Sequence, residues 1–154
     1  MNAKEFLSQA YLLEKQVQSK QDQIRACREL LTCINARLGE EPVKHTRNVE
    51  IMQDTILKIM AAEEELNRQI DALVDKKLEI AGVISRVQHV VYRLILEKRY
   101  LCFLSRERIA VDLNYSAKSV QRLHRQAIEA VQEILDREGQ AKATAPSTGF
   151  WRKT

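Results

Sequence analysis

Glycine and proline are scarce in this chain, with four of the first and two of the second among 154 residues. Architectures made of many short strands and tight turns need both, so their scarcity argues against a β-rich fold and for helices with few joints. Cysteine is also sparse. Cys27, Cys33 and Cys102 are odd in number and form no C-x-x-C, so they read as reduced, packed thiols. His45, His89 and His124 are scattered, no His/Cys/carboxylate cluster has metal-ligand spacing, and no metal or other cofactor is expected. No apolar run approaches membrane-spanning length, and the start, M-N-A-K-E-F-L, has no signal-peptide core, so a cytoplasmic location is expected. A Gly-rich phosphate loop, a G-x-S-x-G elbow and a Cys–His dyad are all missing, and no carboxylate pair faces an identifiable pocket. The chain reads as a non-enzyme.

What is present is charge and helical periodicity. Hydrophobic residues make up 45% of the chain and charged residues 30%, with a net charge of +4. That charge is unevenly spread, about −1 over residues 1–87 and about +5 over 88–154, so a nucleic-acid partner belongs to the second part.

Ala3, Phe6, Ala10, Leu13, Val17, Lys20, Ile24, Cys27, Leu31, Ile34 and Leu38 recur every three or four residues. That spacing is the seam of a left-handed coiled coil. Gly39 is placed as the C-cap, and Glu40-Glu41-Pro42 makes continuation of the helix unfavourable. After a loop of about nine residues, a second seam runs through Val49, Met52, Ile56, Ile59, Glu63, Leu66, Ile70, Leu73, Lys77, Ile80, Ile84 and Val87. Folding one on the other gives an antiparallel hairpin of about 50–55 Å. In it Lys20 and Glu63, charged breaks in the two seams, are expected to pair diagonally and fix the register. Two helices bury one stripe each, so the hairpin is marginal alone and is expected to self-associate or dock on a partner. Glu63-Glu64-Glu65 reads as a solvated face.

Residues 92–135 form three amphipathic segments separated by two polar joints. The first runs from Tyr92 to about Leu101. Ser105 caps the second, whose apolar stripe is Ile109, Ala110 and Leu113. Asn114 tolerates the left-handed backbone that ends a helix, and Ser116 caps the third segment, which carries Val120, Leu123, Ala127, Ile128, Val131 and Leu135. This is a helix-turn-helix pattern, with the small Ala110 where two crossing helices approach. The outward side of the last helix carries Lys118, Gln121, Arg122 and Arg125, and no acidic residue occurs between Leu113 and Ile128. Arg and Lys suit phosphates and guanine edges, and Gln suits adenine. The candidate DNA-binding set is Ser116, Lys118, Ser119, Gln121, Arg122 and Arg125 on this segment, with Arg106 and Arg108 on the one before.

Arg99-Tyr100-Leu101, Ile109-Ala110, Tyr115-Ser116 and Val120-Gln121-Arg122-Leu123 resemble region four of bacterial sigma factors. The wider chain, including R-N-V-E-I-M-Q-D-T-I-L-K-I from Arg47 to Ile59, resembles a phage and prophage family of largely unassigned function. The resemblance implies an N-terminal helical hairpin joined to a sigma-like helix-turn-helix, and a late-gene transcriptional regulator acting on double-stranded DNA in a bacterial cell. Nothing here resembles the promoter-melting region two. A small terminase-like DNA-packaging subunit and an RNA-polymerase-binding adaptor or inhibitor remain open alternatives. The expected organisation is all-α: a hairpin over 1–87, a helix-turn-helix domain over 88–138 and a disordered tail over 139–154.

Overall fold

In a computed structural model the described residues are 2–37 and 42–144, and among them the chain is all-helical, with no strand. The elements are α1 (Ala3–Arg37), α2 (Pro42–Ile84), α3 (Val90–Leu96), a π-helical turn (Glu97–Leu101), α4 (Arg106–Leu113) and α5 (Ala117–Thr144). No helix among the described residues is long and apolar enough to cross a membrane.

Asn2 and Glu5 start α1 by a reciprocal cap. Asn2 Oδ1 accepts from Glu5 N at 2.8 Å and Glu5 Oε2 accepts from Asn2 N at 3.4 Å, so two donors of the first turn are satisfied. The predicted C-cap at Gly39 lies outside the described residues. Helix α2 begins seven residues before the expected Val49. Pro42 is its first residue and does not lie in the loop. A proline in the first turn loses no hydrogen bond, because that N–H has no intrahelical partner, and its fixed φ already suits the helix. At the other end of the chain, α5 runs through Gly139 to Thr144, six residues into the stretch expected to be disordered. Ala141, Lys142 and Ala143 favour helix, and an isolated glycine costs only about 1 kcal/mol. Residues 145–154 lie outside the described residues.

Contacts divide the chain into two compact units, Tyr11–Asp75 and Met1–Ala10 with Lys76–Thr154. Both boundaries fall inside the long helices, one within α1 and one within α2.

In the unit of residues 11–75 the first seam is visible as burial. Val17, Ile24 and Ile34 are buried, and Leu13, Lys20, Cys27 and Leu31 are half-buried between exposed neighbours. On α2 the stripe passes through Ile59 and Leu73, but between Met52 and Ile59 it is Thr55 that is buried, while Ile56 is 41% exposed. Steps of three-then-four and four-then-three both fit a helical stripe. Thr55 is tolerated inside because its hydroxyl donates to the Ile51 carbonyl at 2.7 Å, one turn back on its own helix. The expected Lys20–Glu63 pair does not form. Glu63 is bonded by Arg28 of α1. Lys20 lies near Glu65, whose carboxyl is held below its ordinary range mainly by Arg68, with Lys20 a smaller contributor. Glu63 faces the longer Arg28 side chain, which reaches it from the seam's edge, so the register carries a different ion pair from the diagonal one.

In the other unit two positions beside the seams, Leu7 and Val83, join Phe6, Ile80, Ile84 and Val87 in the core. A two-helix seam does not bury such flanking positions, and here α5 supplies further cover. Gln132 Oε1 accepts from Ala3 N at 2.7 Å, and Glu138 pairs with Arg86.

Candidate nucleic-acid interface

Helices α3, α4 and α5 enclose a small core of Ile95, Ile109, Ala110 and Val120, with Val91, Leu104, Leu113 and Leu123 packed against it. Its local structure follows from the polar joints. His89 caps α3 through Nδ1, which accepts from Tyr92 N at 3.4 Å. The expected first segment is present, but from Glu97 to Leu101 it widens into a π-turn. The chain then turns at Phe103, whose φ of 57° is unusual for a bulky residue. Its ring lies under Lys77 Nζ at 5.0 Å, and Leu104 is tied by its N–H to the Lys98 carbonyl at 3.0 Å and by its carbonyl to Arg99 Nη1 at 3.0 Å. Several contacts thus hold the strained residue in place.

The next two joints are as the sequence predicts. Ser105 caps α4, its Oγ accepting from Arg108 N at 3.2 Å. Asn114 ends α4 in the left-handed region at φ 56°, ψ 39°, and Tyr115 N reaches back to the Ala110 carbonyl at 3.0 Å. Ser116 Oγ accepts from Ser119 N at 3.1 Å and donates to Ser119 Oγ at 2.9 Å, so the two candidate serines are joined at the start of α5. Two residues, Tyr115 and Ser116, separate the left-handed Asn114 from α5. That short connection brings α4 and α5 together at Ala110 and Val120, both buried.

With Val120, Ala127 and Val131 fixed inward, the opposite side of α5 is outward. Lys118, Gln121, Arg122 and Arg125 are all exposed, within about 10 Å along the helix axis. Among the described residues none of Lys118, Arg122 and Arg125 forms an ion pair, and no acidic residue lies between Leu113 and Ile128, the next carboxylate along the stripe being Glu129, one turn beyond Arg125. Arg108 is exposed on α4 but partly engaged, 3.4 Å from Asp112, which also lies 3.6 Å from Lys98. Arg106 is only half-exposed, and its charge acts inward on His124. The structure therefore brings four of the candidates to one face, joins two at its edge, and leaves the α4 arginines less available.

The family described as "protein of unknown function (DUF1492)" matches residues 43–132, more than half of the chain. The chain belongs to this family. No curated protein and no solved structure matches it. The part that matches DUF1492 starts at the beginning of α2 and ends within α5, so it includes the core above and every candidate residue of the face.

Within that DUF1492 segment lies a contact that sequence reasoning missed. Tyr100 Oη and His124 Nε2 are 2.7 Å apart, both buried, with their rings stacked at 5.6 Å. Burial drives His124 down to about 4, with Arg106, Arg99 and Lys4 adding to the shift, and burial raises the Tyr100 phenol. Both groups are therefore neutral near pH 7, and the bond ties the π-turn to α5 directly behind the exposed basic face. The available signal was spacing, since His124 falls between Val120 and Ala127 on the inner stripe. Among the described residues no group of three or more His, Cys, Asp or Glu is placed to hold a metal ion.

Proposed function

We propose that this chain is a sequence-specific regulator of transcription, of phage or prophage type, that binds double-stranded DNA. In this reading α4 and α5 act as a helix-turn-helix resembling region four of sigma factors, and α1 with α2 forms an antiparallel coiled-coil hairpin for self-association or contact with RNA polymerase. The observation that carries it is the exposed, acid-free face of Lys118, Gln121, Arg122 and Arg125 on a helix whose entry is fixed by Asn114 and Ser116. A helix of this width fits the major groove, where guanidinium and amide groups pair with base edges and the remaining cations neutralise phosphates. Arg108 and Arg106 lie one helix earlier and serve the backbone.

The test is genome-wide mapping of binding sites, followed by titration of a recovered duplex at several salt concentrations. Sites at a promoter with an affinity that falls steeply with salt are expected. Sites at a DNA-packaging start would move the reading to a terminase-like subunit, and salt-insensitive or absent duplex binding would move it to a polymerase adaptor. On the recovered site, Arg122→Ala is expected to cost about 1–3 kcal/mol and relax the preference at one base pair. Unchanged preference in competition binding would remove Arg122 from the reading set.

A further inference from the structure

Tyr92 of α3 and Gln126 of α5 lie 34 residues apart in the chain, yet the Tyr92 hydroxyl donates to Gln126 Oε1 at 3.0 Å. The tyrosine is itself braced. Its ring stacks on His89 at 4.0 Å, and its backbone N–H donates to His89 Nδ1 at 3.4 Å. Gln126 is exposed, one turn beyond Arg122 and next to Arg125, and it precedes Glu129, the first carboxylate of α5. Because its oxygen accepts from Tyr92, the Gln126 amide directs its N–H bonds elsewhere, and among the described residues they have no acceptor. Around the helix Gln126 stands about 80° from Lys118 and about 12 Å along the axis from it, at the side of the basic face and not in its middle.

We infer that Tyr92 is a positioning residue that presets Gln126 as a hydrogen-bond donor to a phosphate oxygen at the edge of the DNA contact. That role rests on the DNA-binding reading and states how far the contact reaches. A helix with its side chains is about as wide as the major groove, so its centre line meets base edges and its sides meet the phosphate walls. Gln126 is on such a side. An amide N–H suits a phosphate oxygen, where it fixes orientation and carries no sequence information. A free glutamine loses rotamer freedom when it binds, which weakens it as an anchor. With its amide already tied to Tyr92, much of that loss is taken in folding. Glu129 and Glu133 follow on α5, which sets the end of the contact at Gln126. Helix α3 thus takes part through a side chain of α5, without touching DNA itself.

The test is anisotropy titration of the full chain with a recovered duplex and with an unrelated one, at fixed salt. Gln126→Ala is expected to weaken binding to both by about tenfold, the size of one hydrogen bond to a charged group. Tyr92→Phe keeps the ring and its stack and loses only the hydroxyl. It is expected to weaken both by about two- to tenfold, since Gln126 must then be ordered on binding. In the Gln126→Ala background the same change is expected to have no further effect, because Tyr92 acts through Gln126. Gln126→Glu still accepts from Tyr92 but has no N–H to donate, and is expected to bind more weakly than Gln126→Ala. All variants are expected to keep the helix content of the wild type in circular dichroism. Wild-type affinity in Tyr92→Phe, losses that multiply in the double variant, or a changed preference at a base pair overturns the inference while leaving the DNA-binding reading in place. Absence of duplex binding by the wild-type chain overturns both.

Discussion

His124 shows how one side chain links the interior to the candidate interface. Its imidazole is buried against Tyr100 and its pKa is lowered to about 4 from an ordinary 6.5. The folded protein thus binds a proton at this site less readily than the unfolded chain. Stability from the group is fully present above about pH 6.5, declines as pH falls below it, and is gone once pH passes through about 4, a loss on the order of 1–3 kcal/mol. Carboxylates titrate in the same window, so the difference between proteins is what counts. Thermal melting of wild type is expected to fall more between pH 6.5 and 4 than that of His124→Gln, whose amide keeps a partner for the phenol without taking a proton. Parallel melting curves against pH would show that His124 does not titrate across folding.

At the scale of elements, the tight crossing of α4 and α5 depends on Ala110, 7% exposed beside Ile109 and Val120. Ala110→Leu adds three carbons where the helices meet and is expected to destabilise the protein by about 1–3 kcal/mol, measured by urea denaturation. An unchanged midpoint would mean that the crossing lies elsewhere. The elements also show what the sequence made legible. Ser105, Asn114 and Ser116 were readable because capping and left-handed turns have side-chain rules local to a few residues. The seams were readable because burial follows period. Three features were not. Pro42 starts a helix, where a breaker and a starter look alike without the next turn. Thr55 replaces Ile56 in the stripe because its hydroxyl finds a carbonyl on its own helix, which polarity alone conceals. The π-turn at Glu97–Leu101 changes the number of residues in one turn, and the apolar spacing of Leu94 to Leu101 fits either count. On the candidate face, the residues of α5 were legible from an absence of acid, but the partial loss of Arg106 and Arg108 to neighbouring groups depends on long side chains whose course no spacing records.

For the molecule as a whole, the long helices leave apolar surface outward. Ile56, Leu57 and Met60 lie within one turn of α2 and are 41%, 63% and 55% exposed. Grouped apolar exposure of this kind suits an association surface on general grounds, and the proposed self-association of the hairpin makes it the patch to test. Leu57→Lys with Met60→Lys is expected to lower the association state of the full chain in light scattering while leaving its helix content intact. An unchanged molar mass would direct attention to another surface. The ion pair of Arg28 with Glu63 is partly exposed and on general grounds adds only about 0–1 kcal/mol, so it specifies alignment more than it adds stability.

The two hydrogen bonds that join Ser116 to Ser119 have a consequence for separating folding from function. An aspartate at position 116 still accepts from the Ser119 N–H and suits the positive end of α5, so the cap survives. Yet it brings a full negative charge to the edge of a face otherwise free of acid, where a polyanion would have to settle. Ser116→Asp is therefore expected to melt like the wild type and to bind duplex DNA more weakly, with the deficit shrinking as salt rises, in anisotropy titrations run beside thermal melts. Addition of a phosphoryl group to the same hydroxyl would act in the same direction. A one-carbon side chain at one helix end would then serve as an on–off control that leaves the architecture untouched.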